Sequence, residues 1–202
     1  MSAPSDFDLL IRAGRVVCPL TNCDGPGAVG VCGDRIVAVG PDVSGPAREE
    51  LAFPNAILLP GLIDLHAHPA RAGSKYGIDP DAEMLPRGVT TVLSQGDAGA
   101  ANWQTFRKTT IEHCRTRVRL AINLSARGES MSGGCFENLD DIDVDACVAA
   151  VEGGGDFIWG IAVNVSEDAC GSTDPYAVMG RALLAAERTG KPLLYGMRRP
   201  DQ

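Results

Sequence analysis

Pro60-Gly61-Leu62-Ile63-Asp64-Leu65-His66-Ala67-His68 is the stretch on which the reading of this chain turns. An apolar run ends in two histidines one residue apart. In a strand, positions i and i+2 point to the same face, ~6.6–7 Å apart along the chain. His66 and His68 therefore project together from the end of one strand, close enough to share one metal ion. Imidazole nitrogen suits zinc and related divalent ions at ~2.0–2.1 Å. The chain has only three histidines, and two of them stand here. The plainer alternative is two partly buried histidines satisfied by neighbours.

The grammar of the chain changes at this stretch. Before it, Asp8-Leu9-Leu10-Ile11-Arg12, Arg15-Val16-Val17-Cys18, Ala28-Val29-Gly30-Val31-Cys32 and Arg35-Ile36-Val37-Ala38-Val39 read as short strands. Turns at Ala13-Gly14, Gly33-Asp34 and Gly40-Pro41 separate them, an antiparallel β pattern. Residues 1–59 are expected to form a small β-sandwich-like domain. After it, strand, loop and helix repeat over residues 60–202. Strands are expected at Leu62–His68, Val89–Ser94, Arg117–Leu124, Phe157–Asn164 and Pro192–Tyr195. Helices are expected at Pro80–Leu85, Asn102–Cys114, Val144–Val151 and Tyr176–Arg188. Asp79, Asp143 and Asp174 are placed to cap, with Pro80 and Pro175 at first helical positions and Gly190 as a stop.

Five strands alternating with four helices call for a parallel sheet with right-handed crossovers. An open doubly wound sheet and a (β/α)8 barrel both fit. No GxGxxG follows the first strand, which disfavours a dinucleotide fold. A barrel typically takes ~250 residues. Only about 140 follow residue 60, so the barrel expected here is partial, with about five strands.

Composition narrows the function. A net charge of −8 speaks against a nucleic-acid partner, which would want a basic stripe. No window reaches the ~18 apolar residues of a membrane helix, and Met1 to Asp8 lacks the basic start of a secretory signal. Cysteines at 18, 23, 32, 114, 135, 147 and 170 show no CxxC spacing. They are expected to be reduced, small apolar fillers in a cytoplasmic protein, the alternative for any one of them being a reactive thiol.

Several motifs together resemble the amidohydrolase superfamily. They are Asp8 through Val17, Gly33-Asp34-Arg35-Ile36-Val37-Ala38-Val39-Gly40 and Pro60 through His68. Gly88-Val89-Thr90-Thr91-Val92, Gly96-Asp97-Ala98-Gly99-Ala100-Ala101-Asn102-Trp103, Phe106-Arg107, Thr116-Arg117-Val118-Arg119 and Asn123-Leu124-Ser125 resemble its dihydroorotase-like deacetylase branch. The resemblance implies a metal-dependent hydrolase on a (β/α)8 barrel flanked by a small β-sandwich. It places a divalent metal, zinc by expectation, on His66 and His68. It implies hydrolysis of an amide or cyclic amide C–N bond in a small molecule by metal-activated water. Asn123, Ser125 and Arg127, which follow the third strand at the active-site end, are candidate substrate contacts or merely cap a loop, and Asn164, at the end of the fourth strand, is a further candidate substrate contact. Asp64 or Asp97 could add a carboxylate; Tyr195 is a weak ligand or substrate contact or, by the plainer reading, a half-buried barrel residue; and His113, on an expected helix, is a surface or helix-packing residue.

The chain also departs from the family pattern. The strand-four lysine that bridges two metals in the binuclear branch falls on Ala162, with Asn164 two residues on, and no lysine lies between Lys108 and Lys191. The fifth strand ends Tyr195-Gly196-Met197, without a histidine. Strands six to eight, which would supply another histidine and the aspartate base, are missing, so no catalytic base is assigned. A non-catalytic relative acting by binding or assembly is the rival reading. A second chain or a missing C-terminal half would be needed to complete the barrel.

Overall fold

A computed structural model describes residues 6–71, 73–130 and 132–196. The polar tail from Arg198 and the Met197 position lie outside them. The chain divides into two compact units, Met1–Gly61 and Leu62–Gln202.

The first unit is a four-stranded sheet in the order β3-β2-β1-β4. Its strands are β1 (Phe7–Cys18), β2 (Cys23–Cys32), β3 (Arg35–Gly40) and β4 (Ala47–Leu58). The β1–β2 and β2–β3 pairs are antiparallel, as the turn spacing suggests, but β4 joins β1 in parallel, so the sheet is mixed. The expected turn at Ala13-Gly14 is instead an irregularity within one long strand, where the register shifts against both neighbours. Gly14 is needed there because a Cβ would stand 2.0 Å from the Pro54 carbonyl oxygen. Alternation broken by a bulge reads in sequence as two strands. The strand missed altogether, β4, carries Arg48, Glu49, Glu50 and Pro54, residues that weaken a strand signal.

The second unit is a curled half-barrel, a five-stranded all-parallel sheet in the order β5-β6-β7-β8-β9. Its strands are β5 (Leu62–Ala67), β6 (Val89–Gln95), β7 (Arg117–Asn123), β8 (Ile158–Val163) and β9 (Leu193–Tyr195). Between them run α1 (Pro80–Glu83), α2 (Trp103–Thr109), α3 (Val144–Gly154), α4 (Glu167–Cys170) and α5 (Pro175–Thr189). The expected helix to Cys114 ends early: α2 stops at Thr109, and Ile111–His113 is a separate 3₁₀ turn. The sheet is apolar on both faces, as a parallel sheet must be. Leu120, Ile122, Ile158, Ile161 and Val163 meet the helices on one side. Leu93, Ala121 and Ala162, with Leu194, line the other.

Helix α5 shows how local chemistry sets these elements. The Asp174 carboxylate accepts from the Tyr176 amide at 3.0 Å, and Pro175 needs no amide partner at the first position. Val178, Ala182 and Ala185 form the buried stripe at helical spacing. Gly190 closes the helix in the left-handed conformation, φ 65°. Arg181 spans to the carbonyls of Leu139 and Ile142. The exposed Arg188–Asp145 pair at 2.6 Å adds little by comparison.

The loop leaving β5 is fixed by carboxylates. Asp79 caps α1, accepting from the Asp81 amide at 3.0 Å, and holds Arg71 at 2.7 Å. Asp81 turns the other way and accepts from the Arg115 amide, the Thr116 amide and the Thr116 hydroxyl, each at 2.8 Å. This ties α1 to the start of β7. Burial pushes the Asp81 carboxyl up, but these hydrogen bonds and the nearby Arg71 charge outweigh it, leaving the pKa below the usual value. The contribution is therefore complete above the unfolded carboxylate range, ~4, and disappears as pH falls through the folded pKa. Asp81→Ala is expected to lower unfolding free energy by about 2 kcal/mol at neutral pH. In urea denaturation the gap to wild type should narrow steadily below about pH 4.

Candidate active site

The two histidines stand at the C-terminal end of β5, the first strand of the parallel sheet. Their ring centroids are 6.2 Å apart, with planes at 74°. His66 is exposed and His68 half-buried. The Asp64 carboxylate accepts from the His66 amide at 2.8 Å, so it fixes the strand end rather than joining the rings.

Asp97, in the loop after β6, organises the site. It is 1% exposed. Its Oδ2 accepts from the Ser94 hydroxyl at 2.6 Å. Its Oδ1 accepts from the Ser74 hydroxyl at 2.6 Å and lies 3.0 Å from His68 Nδ1. A carboxylate can only accept, so Nδ1 carries a proton; in the neutral ring this leaves Nε2 with its lone pair. A histidine whose Nδ1–H is held by a carboxylate is the usual support for a metal-binding imidazole.

A pocket opens beside the rings, lined in part by His66, His68, Lys75, Tyr76, Gln95 and Glu129. Asn123, Cys135, Ala162, Asn164 and Asp168 also line it. The Tyr76 ring lies between His68, 5.2 Å away by centroid, and the Lys75 ammonium, 5.1 Å from its centre. Lys75 donates to the Gly133 carbonyl at 2.8 Å and pairs with Glu129 at 3.0 Å. Burial pulls the Lys75 pKa down, but Glu129 more than reverses this and the ammonium persists. Burial and the Glu129 charge push the Cys135 thiol up to about 12. Cys135 is therefore a neutral thiol at physiological pH and not a nucleophile. The Gln95 amide donates to the Leu194 carbonyl at 3.3 Å. Its Oε1 is buried with no hydrogen-bond partner among the described residues.

The expected substrate contacts fare unequally. Asn123 and Asn164 line the pocket, but both side chains also shape the backbone. Asn123 accepts from the Ser125 amide at 2.9 Å and donates to the Gly96 carbonyl at 3.1 Å. Asn164 accepts from the Ser166 amide at 3.0 Å. Arg127 is exposed and does not line the pocket; its carbonyl serves Asn102 and Ser130. Tyr195 also lies outside the lining, 47% exposed. His113 sits in the 3₁₀ turn, its carbonyl taking Arg71 at 3.2 Å. Lys75, Tyr76, Gln95 and Glu129 were not anticipated. Lys75 and Tyr76 belong to the loop after the first strand, and that position at the C-terminal end of a barrel strand is the signal that could have found them.

The donor set suits a divalent cation in part. Two imidazoles converge, one of them backed by a carboxylate. Among the described residues no group of three or more histidine, cysteine or acidic side chains is placed to hold a metal, and catalytic zinc usually takes three protein ligands. Ala162 lines the pocket where the family resemblance puts a lysine.

No family model matches the chain. A deacetylase of Agrobacterium fabrum is 33% identical over 141 residues, 68% of this chain and 35% of the relative. A dihydroorotase of Solibacter usitatus is 26% identical over 189 residues, 92% of this chain and 41% of the relative. Among solved structures, a dihydroorotase matches with TM-score 0.84 and 26% identity, over 95% of this chain and 52% of that one. An adenine deaminase matches with TM-score 0.81 and 25% identity, over 96% and 52%. The half-barrel, the paired histidines and these likenesses agree: the chain is an amidohydrolase-like protein. It spans between a third and half of the length of these curated relatives.

The hub around Asp97 yields a direct expectation. Asp97→Ala strands the buried Ser94 hydroxyl and the half-buried Ser74 hydroxyl and frees the His68 ring. It should cost about 2–4 kcal/mol in denaturant unfolding, whereas Asp64→Ala, at the exposed strand end, should cost under about 1 kcal/mol.

Proposed function

We propose that this chain carries the first-strand end of an amidohydrolase site that hydrolyses an amide or cyclic amide C–N bond in a small molecule. The observation that carries this reading is His68, held through Nδ1 by buried Asp97, beside His66 at the end of the first parallel strand. The deacetylase and dihydroorotase likenesses support it. His66 and His68 would supply two ligands to a divalent metal, zinc by donor type. A cation bound there would make water nucleophilic near neutral pH and polarise a carbonyl.

The residues of this chain then have separable tasks. Asp97 fixes the His68 tautomer. Asn123 and Asn164 border the substrate. Lys75, neutralised in part by Glu129, gives the pocket its positive group. Arg127 would have to reach in from the rim. The remaining metal ligands and the catalytic base would come from a longer chain or a second chain that completes the sheet. The edge strand β5 is consistent with such completion: Ile63 is 65% and Leu65 58% exposed, although parallel strands are normally covered on both faces. No helix among the described residues is long and apolar enough to cross a membrane, and we take the cytoplasm as the site of action.

Ala162 and the missing third donor favour one rival, a non-catalytic relative that binds without hydrolysing. Zinc titration of the chain against a chromophoric chelator separates the two. The hydrolase reading expects about one equivalent bound, weakened at least about tenfold by His66→Ala, a loss of ~1.4 kcal/mol. Zinc uptake that His66→Ala and His68→Ala leave unchanged would overturn it.

A further inference from the structure

The other chemistry in this chain lies in the first unit, at the β1–β2 hairpin. Cys18 is the last residue of β1 and Cys23 the first of β2. They are direct cross-strand partners in the antiparallel register. Partners in such a pair have Cα atoms ~4.5–5.5 Å apart and side chains on the same face. A disulfide needs a Cα separation of ~4.4–6.8 Å, so the backbone already meets the requirement. Both thiols are free and neither is buried. Hydrogen bonds from Thr21, first through its side chain and then its amide, favour the Cys18 thiolate and lower its pKa. The intervening turn is ordered by Asn22 in the left-handed conformation, φ 51°.

No other cysteine competes within the sheet. Cys32 ends the same strand that Cys23 begins, nine residues away and so about 30 Å along an extended chain. Cys32 is also occupied, donating to the Asp6 carbonyl at 3.6 Å. In the second unit, Cys135 and Cys147 are buried with pKa values raised to about 12 and about 11.

We infer that Cys18 and Cys23 form a reversible thiol–disulfide site that reacts with oxidised low-molecular-weight disulfides. The Cys18 thiolate attacks one sulfur of the reagent RSSR, forming a mixed disulfide and releasing one RS⁻. The Cys23 thiolate then attacks Cys18 Sγ, closing the cross-strand bond and releasing the second RS⁻. The two protons lost by the cysteines end on the two RSH products. The pair loses two electrons and the reagent gains them. Because neither thiol is buried, excess reduced thiol reverses the exchange.

The test uses the whole chain and oxidised glutathione. After incubation, free thiols are alkylated and the chain is cleaved before aspartate. Cleavage at Asp24 separates Cys18 and Cys23 from Cys32. The expected result is a peptide spanning residues 8–23 that is two hydrogens lighter and unalkylated, restored by dithiothreitol. In Cys23→Ser, a glutathionyl adduct should build up on Cys18. The proposal is overturned if Cys18 and Cys23 both remain alkylatable while another cysteine is oxidised, or if the cross-link joins different residues. Wild-type mapping decides the matter even if a variant fails to fold.

Discussion

The second unit depends on one buried carboxylate. Asp97 follows β6, yet it reaches the strand before it and the loop after that strand. Ser94, Ser74 and His68 all converge on its two oxygens. A buried charge is tolerated only where its lone pairs are filled, and here the partners that fill them are those that a site needs placed. Stability and site geometry are thus the same interaction. The surrounding turn is equally constrained: a Cβ on Gly99 would stand 1.9 Å from the Ser125 carbonyl oxygen, so the loops after β6 and β7 touch backbone to backbone.

The pocket that results has a mixed polar and apolar lining. Leu93, Ala121 and Ala162 form the inner face of the sheet, and of these Ala162 lines the pocket. Gln95 Oε1 is left as a buried acceptor in the pocket lining without a hydrogen-bond partner among the described residues, and an unfilled acceptor of this kind favours a ligand that brings a donor. Lys75 and Glu129 form an ion pair within the same lining, which also carries Asp168.

Much of this was legible before any coordinates. The parallel strands announced themselves as short apolar runs, and α3 and α5 through their aspartate caps, with Pro175 at the first position of α5. The paired histidines were visible because strand periodicity puts i and i+2 on one face. Other features were not. β4 hides behind polar residues and a proline, and its parallel pairing to β1 has no local signature. The bulge at Gly14 looked like a turn, since glycine marks both. Asp97 was noticed as a carboxylate, but its task depends on Ser74 and Ser94, which only the fold brings together. Lys75 and Glu129 meet across 54 residues of sequence, beyond the reach of any spacing rule. Arg127, a charged residue just past a strand, is exposed and lies outside the pocket lining.

The central claim is that Asp97 holds His68 with its proton on Nδ1 and its Nε2 open. Long-range nitrogen–proton NMR of the imidazole rings tests it most directly. The account predicts that His68 shows the Nδ1–H tautomer in the wild type, loses that preference in Asp97→Ala, and shifts at Nε2 together with His66 when zinc is added. A His68 ring protonated on Nε2, or unmoved by zinc while other nitrogens respond, would contradict it.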